Sequence, residues 1–566
     1  MHYTSLYPPP PPTPVMNVHD FLATTPAQQR AEDWVQFVEP LSGREWTRNE
    51  VRDGVRDAAT ALVAPEAEGG FGIALGGERV AVMSTNCVEY IILVHALFKT
   101  AIPLVLVPSG ATPFELEHFL RTSNATRLFV HASSLATALG AAEKVGLPQT
   151  RVVVLTGQLS SNRPDFMSAV DEVRYRDMPA VSSTPVTDDT LLYLVFSSGT
   201  GGLPKAVMIS HKNVIAKMVT AAWAVAFDGP HPYFATNHAI ALGFLPIYHS
   251  YGLHCLCIQP QASVSTTVLL PRWDPALVFD LIPRHRINVL YLTPPAILHL
   301  LNHPRVKTAD LSSVINLGSG ASYLPPQLAR IFTGLAKNAK LVEGYGMSET
   351  TLSITRPCPE KLGGPKSGSP GILVPGLEAR IVRDDGTLVG PDEPGELWVR
   401  GDVVALGYWG DARSTAETFT GGGWLRTGDR IRVDADQHFF FVERVKDTLK
   451  VSGQQVSPTE LEAVLFAHPD RLVADVAVAG VAGARLADER VPRAWVVLSE
   501  EGRRHGAAAA VRALDAWVRQ SLSRFKWLRG GIEVVDEIPK NPTGKVLRRV
   551  LVQRYEERQK APSAKL

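Results

Sequence analysis

Residues 197–206, which read SSGTGGLPKA, combine residue types that suit a polyphosphate. They follow an apolar run at 191–196 that predicts a buried β-strand. Glycine lets backbone N–H groups approach an anion closely, hydroxyls add donors, and Lys205 supplies a mobile positive charge. The stretch is not a Walker A loop, because Pro204 stands where that pattern needs glycine. We predict a phosphate-holding loop, with a flexible surface loop of small residues as the alternative.

Two further glycine-bearing turns follow apolar segments. The turn within 314–324, VINLGSGASYL, is not a dinucleotide fingerprint, because Tyr323 replaces the third glycine. The turn within 341–350, LVEGYGMSET, carries an aromatic ring at Tyr345, a hydroxyl at Ser348 and a carboxylate at Glu349. An aromatic ring can stack on a purine, and a carboxylate can hold Mg²⁺ that bridges phosphates. Three such turns in one chain indicate a nucleotide site.

His249 lies in an apolar stretch, 244–253, that reads FLPIYHSYGL. We expect an apolar strand here that runs into a polar, aromatic cluster. Parallel sheets bind ligands at strand ends, which favours a site role, whereas a core histidine with satisfied hydrogen bonds is the alternative. His249 and His254 make no zinc signature, since the H-E-x-x-H pattern is absent.

The elements that must position these residues are predicted from hydrophobic periodicity. Between Trp46 and about Gly157 strands alternate with helices, and another helix is expected at 214–226. The predicted strands are 79–83, 104–107, 127–130 and 151–155, and the predicted helices are 49–62, 89–100 and 113–123. This alternation is typical of an α/β fold with a doubly wound, largely parallel sheet covered on both faces.

The length, charge balance and cysteine content of the chain restrict the functions that it can have. A chain of 566 residues predicts two to four domains. The 57 lysines and arginines nearly balance the 56 aspartates and glutamates, so we expect no nucleic-acid partner. The four cysteines form no C-x-x-C pair, and buried reduced thiols at Cys255 and Cys257 fit a reducing compartment. No apolar run is long enough for a transmembrane segment.

Both termini carry distinctive short sequences. Residues 1–14 include a polyproline arm, predicted to lie along the surface, with an SH3-type ligand as the alternative. The last three residues, Ala564, Lys565 and Leu566, resemble the Ser-Lys-Leu peroxisomal address and follow a polar segment. We therefore expect a peroxisomal protein recognised by the import receptor, with the cytoplasm as the other location.

In this order the motifs resemble those of the adenylate-forming enzymes, and most closely the acyl-CoA ligases of the 4-coumarate–CoA ligase and firefly luciferase branch. The resemblance covers about residues 20–549. The phosphate loop of the family usually reads SSGTTGLPKG, so Gly201 and Ala206 depart from it. The resemblance implies a large N-terminal domain with several subdomains and doubly wound sheets, joined by a hinge to a small α+β domain. The implied divisions are a leader at 1–19, an AMP-binding domain at 20–445, a mobile domain at 446–563 and the targeting tail at 564–566.

The resemblance implies a site for ATP and AMP in which Asp429 of WLRTGD holds the ribose. The implied nucleotide residues are Ser197, Ser198, Gly199, Thr200, Gly201, Gly202, Lys205, Ser319, Gly320, Ala321, Glu343, Gly344, Tyr345, Gly346, Ser348, Asp429 and Arg444. Glu349 and Thr200 are the implied Mg²⁺ ligands, and Lys446 is the implied hinge. The family usually has aspartate before the arginine, whereas here Glu443 precedes Arg444.

Catalytic and substrate-binding residues follow from the same resemblance. The implied catalytic residues are Lys545 of the closing motif IPKNPTGK, Lys450, Gln455 and His249, and the implied CoA contacts are Arg272, Ser452 and Gly453. Ser452 replaces a lysine that is common in the plant ligases. The implied acyl pocket is lined by His249, Tyr251, Cys255, Ser322 and Thr350. The TTLS sequence after Glu349 departs from the 4-coumarate ligases, which argues against coumarate itself. A pocket of mixed polar and apolar residues admits aryl, medium-chain or branched acids.

The activity implied is ATP-dependent, AMP-forming ligation of a carboxylic acid to CoA through an acyl-adenylate, with Mg²⁺ as cofactor. Three alternatives stay open: an adenylating enzyme that loads a carrier protein in trans, a luciferase-like monooxygenase, and a non-catalytic binding protein on the same fold. The presence together of Lys205, Glu349 and Lys545 disfavours the last of these.

Overall fold

The computed structural model describes residues 1–30, 32–157, 165–197, 204–229, 231–322, 324–444, 449–451, 454–482, 490–522, 524–541 and 544–560. None of the helices in these ranges is both long and apolar enough to cross a bilayer.

The first parallel sheet forms around the apolar runs predicted from sequence. In spatial order its strands are Gly407–Tyr408, Lys205–Ser210, Leu191–Ser197, Leu104–Val107, Val80–Met83, Arg127–His131 and Val152–Thr156. The strands from Leu191–Ser197 to Val152–Thr156 run parallel, whereas Lys205–Ser210 is antiparallel to both of its neighbours. Their residues are buried almost throughout, which is why they read as unbroken apolar runs.

A second parallel sheet lies beside the first. Its strands, in spatial order, are Lys340–Glu343, Asn316–Ser319, Val289–Leu292, Ala239–Gly243, Ser265–Leu269, Val35–Glu39 and Arg44–Thr47. Only the pairing of Val35–Glu39 with Arg44–Thr47 is antiparallel among these described strands. One apolar core joins the two sheets, with the buried helix Val88–Thr100 contributing to it.

The strand that precedes the polyproline arm belongs to a third, antiparallel sheet. The strands of this sheet are His2–Thr4, Glu378–Val382, Gly395–Arg400, Trp424–Val433, Phe419–Thr420 and Phe439–Arg444. Beyond the first strand, Tyr7 is buried, and its hydroxyl donates to Asp228 at 3.2 Å. The arm therefore lies along the surface as a part of the fold.

The C-terminal region builds a smaller α+β unit. Its sheet contains Val473–Ala482, Arg490–Leu498 and Ile532–Val534, and a hairpin of Leu449–Val451 and Gln454–Val456 precedes it. A further hairpin in the N-terminal part pairs Thr355–Arg356 with Ile372–Leu373.

Helices cover the sheets, and several begin at capping residues that the sequence predicts. For example, Thr112 and Glu115 form a capping box at the start of Pro113–Ser123. The α-helices are Val18–Ala23, Arg48–Val63, Val88–Thr100, Pro113–Ser123, Leu135–Val145, Phe166–Tyr175, His211–Asp228, Pro232–Thr236, Ser250–Gly252, Gln259–Ala262, Pro275–His285, Pro294–Asn302, Pro326–Leu335, Ala412–Thr418, Pro458–Phe466, Glu500–His505, Ala507–Ser521 and Arg548–Lys560. Leu253–Ile258 is a π-helix, and 3₁₀ turns occur at Glu66–Glu68, Ala132–Ser134, Gln149–Arg151, Pro304–Lys307, Ser348–Thr350, Glu360–Leu362 and Arg524–Lys526.

The strand predicted within 244–253 is wrong in position. The strand of this part of the chain is Ala239–Gly243, which ends just before the predicted range, and the chain leaves the sheet at Phe244. Pro246 has no N–H to donate to a neighbouring strand. The side chain of Asn86 instead donates to the carbonyl of Leu245 at 2.9 Å and accepts from the N–H of Ile247 at 3.0 Å. A buried loop is stable here because Asn86 satisfies its backbone.

Candidate active site

The predicted phosphate loop connects two antiparallel strands of the first sheet. Ser197, the last residue of Leu191–Ser197, pairs with Lys205, the first residue of Lys205–Ser210. Ser197 therefore lies at the carboxyl edge of the parallel strands, where ligands bind in such sheets. Five of the predicted residues, Ser198, Gly199, Thr200, Gly201 and Gly202, lie outside the described residues.

Tyr408, which belongs to no recognisable motif, contacts both Lys205 and Glu349. The ammonium of Lys205 donates to the hydroxyl of Ser414 at 2.5 Å and lies 5.0 Å from the ring centroid of Tyr408. The hydroxyl of Tyr408 donates to Oε1 of Glu349 at 2.9 Å. Glu349 is only 5% exposed, so this bond fixes a buried carboxylate beside the phosphate-loop strand.

A cavity of about 230 Å³ lies where the N-terminal sheets meet the C-terminal unit. The neighbouring strands Asn316–Ser319 and Lys340–Glu343 are parallel and pair Ser319 with Glu343, so the turns after them open on the same edge. The predicted residues that line this cavity are Ser319, Ala321, Ser322, Glu343, Gly344, Tyr345, Gly346, Asp429 and Lys545. The structure thus brings together residues that are separated by more than two hundred positions in sequence.

Tyr345 and Asp429 form one wall of the cavity. The tyrosine hydroxyl donates to Oδ2 of Asp429 at 2.8 Å, and the aspartate is 3% exposed. The next turn residue must be glycine, because a Cβ on Gly346 would lie 1.7 Å from the carbonyl oxygen of Leu352. Backbone pairing places Arg444 opposite Asp429 on the adjacent strand.

Two buried polar groups of the cavity are suited to contact a ligand. Burial raises the pKa of the Glu343 carboxyl to about 7, so its charge varies near neutral pH. The hydroxyl of Ser319 is buried without a hydrogen-bond partner in the described part of the chain. Groups of this kind suit a polar ligand that completes their hydrogen bonds.

The closing loop that carries Lys545 packs against the N-terminal part of the chain. A Cβ on Gly544 would lie 2.5 Å from Cγ of Pro295, and the backbone N–H of Lys545 donates to Oδ1 of Asn541 at 2.7 Å. Lys540 pairs with Asp475 at 2.5 Å, which ties the base of the loop to the C-terminal sheet. The structure therefore has the arrangement in which Lys545 faces the predicted nucleotide turns.

The predicted acyl pocket lies behind the turn at residues 318–320. The hydroxyl of Ser250 donates to Oγ of Ser348 at 3.3 Å, and Tyr251 lies 3.6 Å from the position that a Cβ on Gly320 would take. His249 caps the helix Ser250–Gly252 by accepting from the N–H of Tyr251 at 3.3 Å. Burial lowers the pKa of His249 to about 4, so the imidazole is neutral at physiological pH.

One of the predicted acyl-pocket contacts is contradicted by the structure. Thr350 has no exposed surface and its hydroxyl is hydrogen-bonded to the backbone of Met347, so its place in the acyl-pocket lining is a wrong prediction. Arg272 lies on an exposed bend and does not line the cavity. Lys446, Ser452, Gly453 and the tail residues 564–566 lie outside the described residues, as do the side chains of Lys450 and Gln455.

Sequence reasoning missed several residues that line the cavity. These are Pro294, Pro295, Leu298, Phe441, Thr459, Glu462, Lys540 and Arg548, among others. The two prolines directly follow the strand Val289–Leu292 at the same sheet edge, which is a usable signal. The residues of the C-terminal unit carry no such signal, because only the packing of that unit against the N-terminal part brings them to the cavity.

A Mg²⁺ site can be judged by its donor set. Within the described residues no three His, Cys, Asp or Glu side chains are grouped to hold a metal. Mg²⁺, however, commonly takes one or two carboxylates and completes its shell with substrate phosphates and water. The buried Glu349 carboxylate near the phosphate-loop strand fits that mode of binding.

Comparison with known proteins agrees with this geometry. The profile of the AMP-binding enzyme family matches residues 24–409, and that of the AMP-binding enzyme C-terminal domain matches residues 460–545. The acyl-CoA ligase AKT1 of Alternaria alternata is 34% identical over 489 residues, which are 83% of this chain and 82% of that protein. The 4-coumarate–CoA ligase 3 of Oryza sativa subsp. japonica is 30% identical over 522 residues, 91% of this chain and 88% of its own.

A solved structure extends the match to three dimensions. The crystal structure of the anthranilate CoA ligase AuaEII in complex with anthranoyl-AMP has a TM-score of 0.82 and 25% identity, and covers 96% of this chain and 98% of that chain. The predicted fold class and the predicted resemblance are confirmed. The chain belongs to the AMP-binding, adenylate-forming enzyme family and is an AMP-forming acid–thiol ligase.

Proposed function

We propose that the cavity between the domains is the adenylation site of an ATP-dependent acyl-CoA ligase. The observation that carries the proposal is that Lys545 of the C-terminal domain faces Ser319, Glu343 and Asp429 across one cavity of about 230 Å³. A carboxylate and a triphosphate are both anions and repel each other. A lysine that the C-terminal domain places beside the nucleotide turns would offset that repulsion.

In the first half-reaction a carboxylate oxygen bonds to the α-phosphorus of ATP, and pyrophosphate leaves. The barrier is largely repulsion between these anions, and Lys205 and Lys545 offset it. Glu349, with Thr200, would hold Mg²⁺, which when bound neutralises phosphate charge. One preorganised contact of this kind is worth about 3–4 kcal/mol, or roughly 100- to 1000-fold in rate.

The nucleotide is held by groups on several turns. Asp429 and Arg444 bind the ribose, and Ser348 lies at the α-phosphate. Ser319, Gly320 and Ala321 form the adenine side together with Glu343 and Tyr345, while the loop at 197–202 grips the β- and γ-phosphates. Gly201 and Ala206, which depart from the family's usual phosphate-loop sequence, change how this loop binds the phosphates.

In the second half-reaction the sulfur of CoA bonds to the acyl carbon, and AMP leaves. The C-terminal domain rotates about Lys446, which withdraws Lys545 and presents Lys450 and Gln455. Arg272, Ser452 and Gly453 contact CoA in that arrangement. The exposure of Arg272 supports this role, because CoA must approach from solvent.

The acid is an aryl, medium-chain or branched carboxylic acid. Tyr251 and Tyr291, with ring centroids 6.4 Å apart, give the pocket both aromatic and polar surface. The relative AuaEII was solved with anthranoyl-AMP, an aryl adenylate, and supports an aryl acid for this chain.

The protein acts in the peroxisome, addressed by Ala564, Lys565 and Leu566 through the import receptor. Deletion of these three residues should shift a fluorescent fusion from punctate structures to the cytosol. An unchanged punctate pattern would contradict the assignment.

The function is tested with a panel of aryl, medium-chain and branched acids. Pyrophosphate release and CoA consumption are measured separately, in the presence of ATP and Mg²⁺. We expect both signals with at least one acid. Adenylate formation without CoA consumption would point instead to carrier-protein loading, and absence of both signals would contradict the function.

A further inference from the structure

Tyr408 contacts two residues of opposite charge at the adenylation site. Its hydroxyl donates to Oε1 of Glu349 at 2.9 Å, and its ring centroid lies 5.0 Å from the ammonium of Lys205. The tyrosine is 8% exposed and the glutamate 5% exposed, so water screens the bond between them poorly. A phenol is protonated at neutral pH and therefore donates to a carboxylate. One side chain thus serves the carboxylate with its hydroxyl and the ammonium with its ring.

Lys205 and Glu349 form no ion pair with each other in the part of the chain that the structure describes. Each of them is bonded elsewhere, the carboxylate to Tyr408 and the ammonium to a serine hydroxyl. Opposite charges that contact the same side chain attract each other, and more strongly where water is excluded. The separation of the two charges therefore depends on the groups that hold each of them in place.

The backbone around Tyr408 is bonded to both elements that carry these charges. On one side, Tyr408 pairs with Val207, two residues after Lys205 on the same strand. On the other side, the N–H of Ala405 donates to the carbonyl of Glu349 at 2.9 Å. One short segment therefore joins the strand of the lysine to the turn of the carboxylate.

The short helix Ala412–Thr418 fixes the tyrosine and the lysine relative to each other. Ser414 accepts from the ammonium of Lys205 at 2.5 Å. The next residue, Thr415, accepts from the backbone N–H of Tyr408 at 2.9 Å. Two adjacent residues of one helix thus hold the ammonium and the backbone of the tyrosine whose ring it contacts.

The hydroxyl of Tyr408 supports Glu349 as a cation ligand. A carboxylate has about four acceptor positions, so Glu349 can accept from Tyr408 at Oε1 and still bind a cation. A carboxylate that a hydrogen bond already orients loses less freedom when it binds Mg²⁺. Without the hydroxyl, the buried carboxylate would lose this bond and would be drawn towards the ammonium of Lys205.

We propose that Tyr408 is a positioning residue that orients the Glu349 carboxylate for Mg²⁺ and keeps it from pairing with Lys205, whose charge then stays available to the phosphates of ATP. The proposal rests on the proposed function, because it concerns the ATP of that reaction. The hydroxyl acts on the carboxylate, and the ring acts on the lysine. The two parts of the side chain can therefore be tested separately.

The first test removes the hydroxyl and keeps the ring. Binding of ATP is measured by isothermal titration calorimetry over a series of Mg²⁺ concentrations and in EDTA. Tyr408→Phe should raise the Mg²⁺ concentration needed for half-maximal tightening of ATP binding by about 10-fold or more. Its ATP affinity in EDTA should match that of the wild type, because the ring still contacts Lys205. Tyr193→Phe, which removes a buried hydroxyl bonded to His254 at 3.2 Å, is the control and should change neither value.

The second test removes the ring as well. Tyr408→Leu should show the same shift in Mg²⁺ dependence and should also weaken ATP binding in EDTA by about 10-fold, because Lys205 then pairs with Glu349 instead of a phosphate. Wild-type ATP affinity of this variant in EDTA would overturn the part assigned to the ring. If Tyr408→Leu fails to fold, Tyr408→Phe still decides the part assigned to the hydroxyl.

A third measurement distinguishes positioning from a general loss of structure. The conversion of supplied acyl-adenylate and CoA to thioester involves no triphosphate, so Tyr408→Phe should leave its rate near wild type. Wild-type Mg²⁺ dependence in Tyr408→Phe, or equal loss of both half-reactions, overturns the role of Tyr408 and leaves the ligase function standing. A wild-type enzyme that releases no pyrophosphate with any acid overturns the ligase function, whereas the Mg²⁺ dependence of ATP binding still decides the role of Tyr408.

Discussion

Buried charged residues near the active site differ in how their charge is offset. Glu349 accepts from Tyr408, and Asp228 is paired with Arg356. Lys217 has no such partner among the described residues, and its pKa is lowered to about 8. A basic group whose pKa falls on folding destabilises the folded protein wherever it is charged in the unfolded chain.

Lys217→Met should therefore stabilise the ligand-free protein at pH 7, on the order of 1–2 kcal/mol. The gain is complete below about pH 8, declines as pH rises, and vanishes above the ordinary lysine pKa of 10.5. Thermal melting at pH 7 and near pH 10.5 measures it, with Lys212→Met, at a solvent-facing ion pair, as the control. A variant that melts lower than wild type at pH 7 would show that the amine has a stabilising partner.

The sequence predicted the site residues that belong to a recognisable motif. It did not predict those that reach the site only when distant elements pack together. Asp429, Tyr345 and Lys545 could be predicted, and the cavity brings them together. Tyr408 could not, because it meets Glu349 only when a two-residue strand pairs with Lys205–Ser210. Thr350 was misjudged since a hydroxyl beside a motif glutamate can equally close a turn.

At the scale of elements, the closing loop depends on a close backbone approach. Gly544 has φ +83°, and a Cβ there would lie 2.5 Å from Cγ of Pro295. Gly506 has nearly the same φ, +85°, but no atom lies within 4 Å of its Cβ position. Alanine substitutions at these two glycines therefore distinguish the effect of backbone strain from the effect of a clash between the domains.

Gly544→Ala should slow adenylate formation by about 10-fold or more, because the added methyl holds the loop away from Pro295 and misplaces Lys545. Gly506→Ala carries similar backbone strain and should leave the rate near wild type. Pyrophosphate release under single-turnover conditions measures both. Equal rates for the two variants would mean that the contact with Pro295 plays no part in adenylation.

The N-terminal arm is a second element with a testable structural role. Tyr7 is 4% exposed, its ring lies 5.3 Å from that of Phe227, and Arg356 lies over its face at 5.4 Å. Tyr7→Ala should lower the free energy of unfolding by about 3 kcal/mol, as removal of a buried aromatic ring usually does. Chemical denaturation of this variant is compared with Thr13→Ala, at an exposed contact, and equal stability of the two would contradict the role.

Elements were predictable where one local pattern determined them. The helix Pro113–Ser123 and the strand Leu104–Val107 have the predicted bounds, because caps and apolar runs mark their ends. The prediction of a strand within 244–253 was wrong because an apolar run does not distinguish a strand from a buried loop. The side chain of Asn86, about 160 positions away, satisfies that loop.

At the scale of the whole molecule, the two domains meet in one arrangement that suits one half-reaction. Lys545 lies in the cavity with Ser319 and Asp429, whereas the proposed thioester step requires the lysine to withdraw. The resemblance predicted a mobile C-terminal domain at 446–563, but it could not predict which arrangement the folded chain adopts. That depends on contacts such as Gly544 with Pro295, which no local pattern specifies.

The most direct test of this account measures the two half-reactions of Lys545→Ala separately. We predict that adenylate formation from acid and ATP falls by about 100- to 1000-fold, while a supplied acyl-adenylate and CoA still give thioester at a rate near wild type. Lys361→Ala, an exposed lysine remote from the cavity, is the control and should leave both rates unchanged. Equal loss of both half-reactions in Lys545→Ala, or normal adenylate formation, would contradict the account.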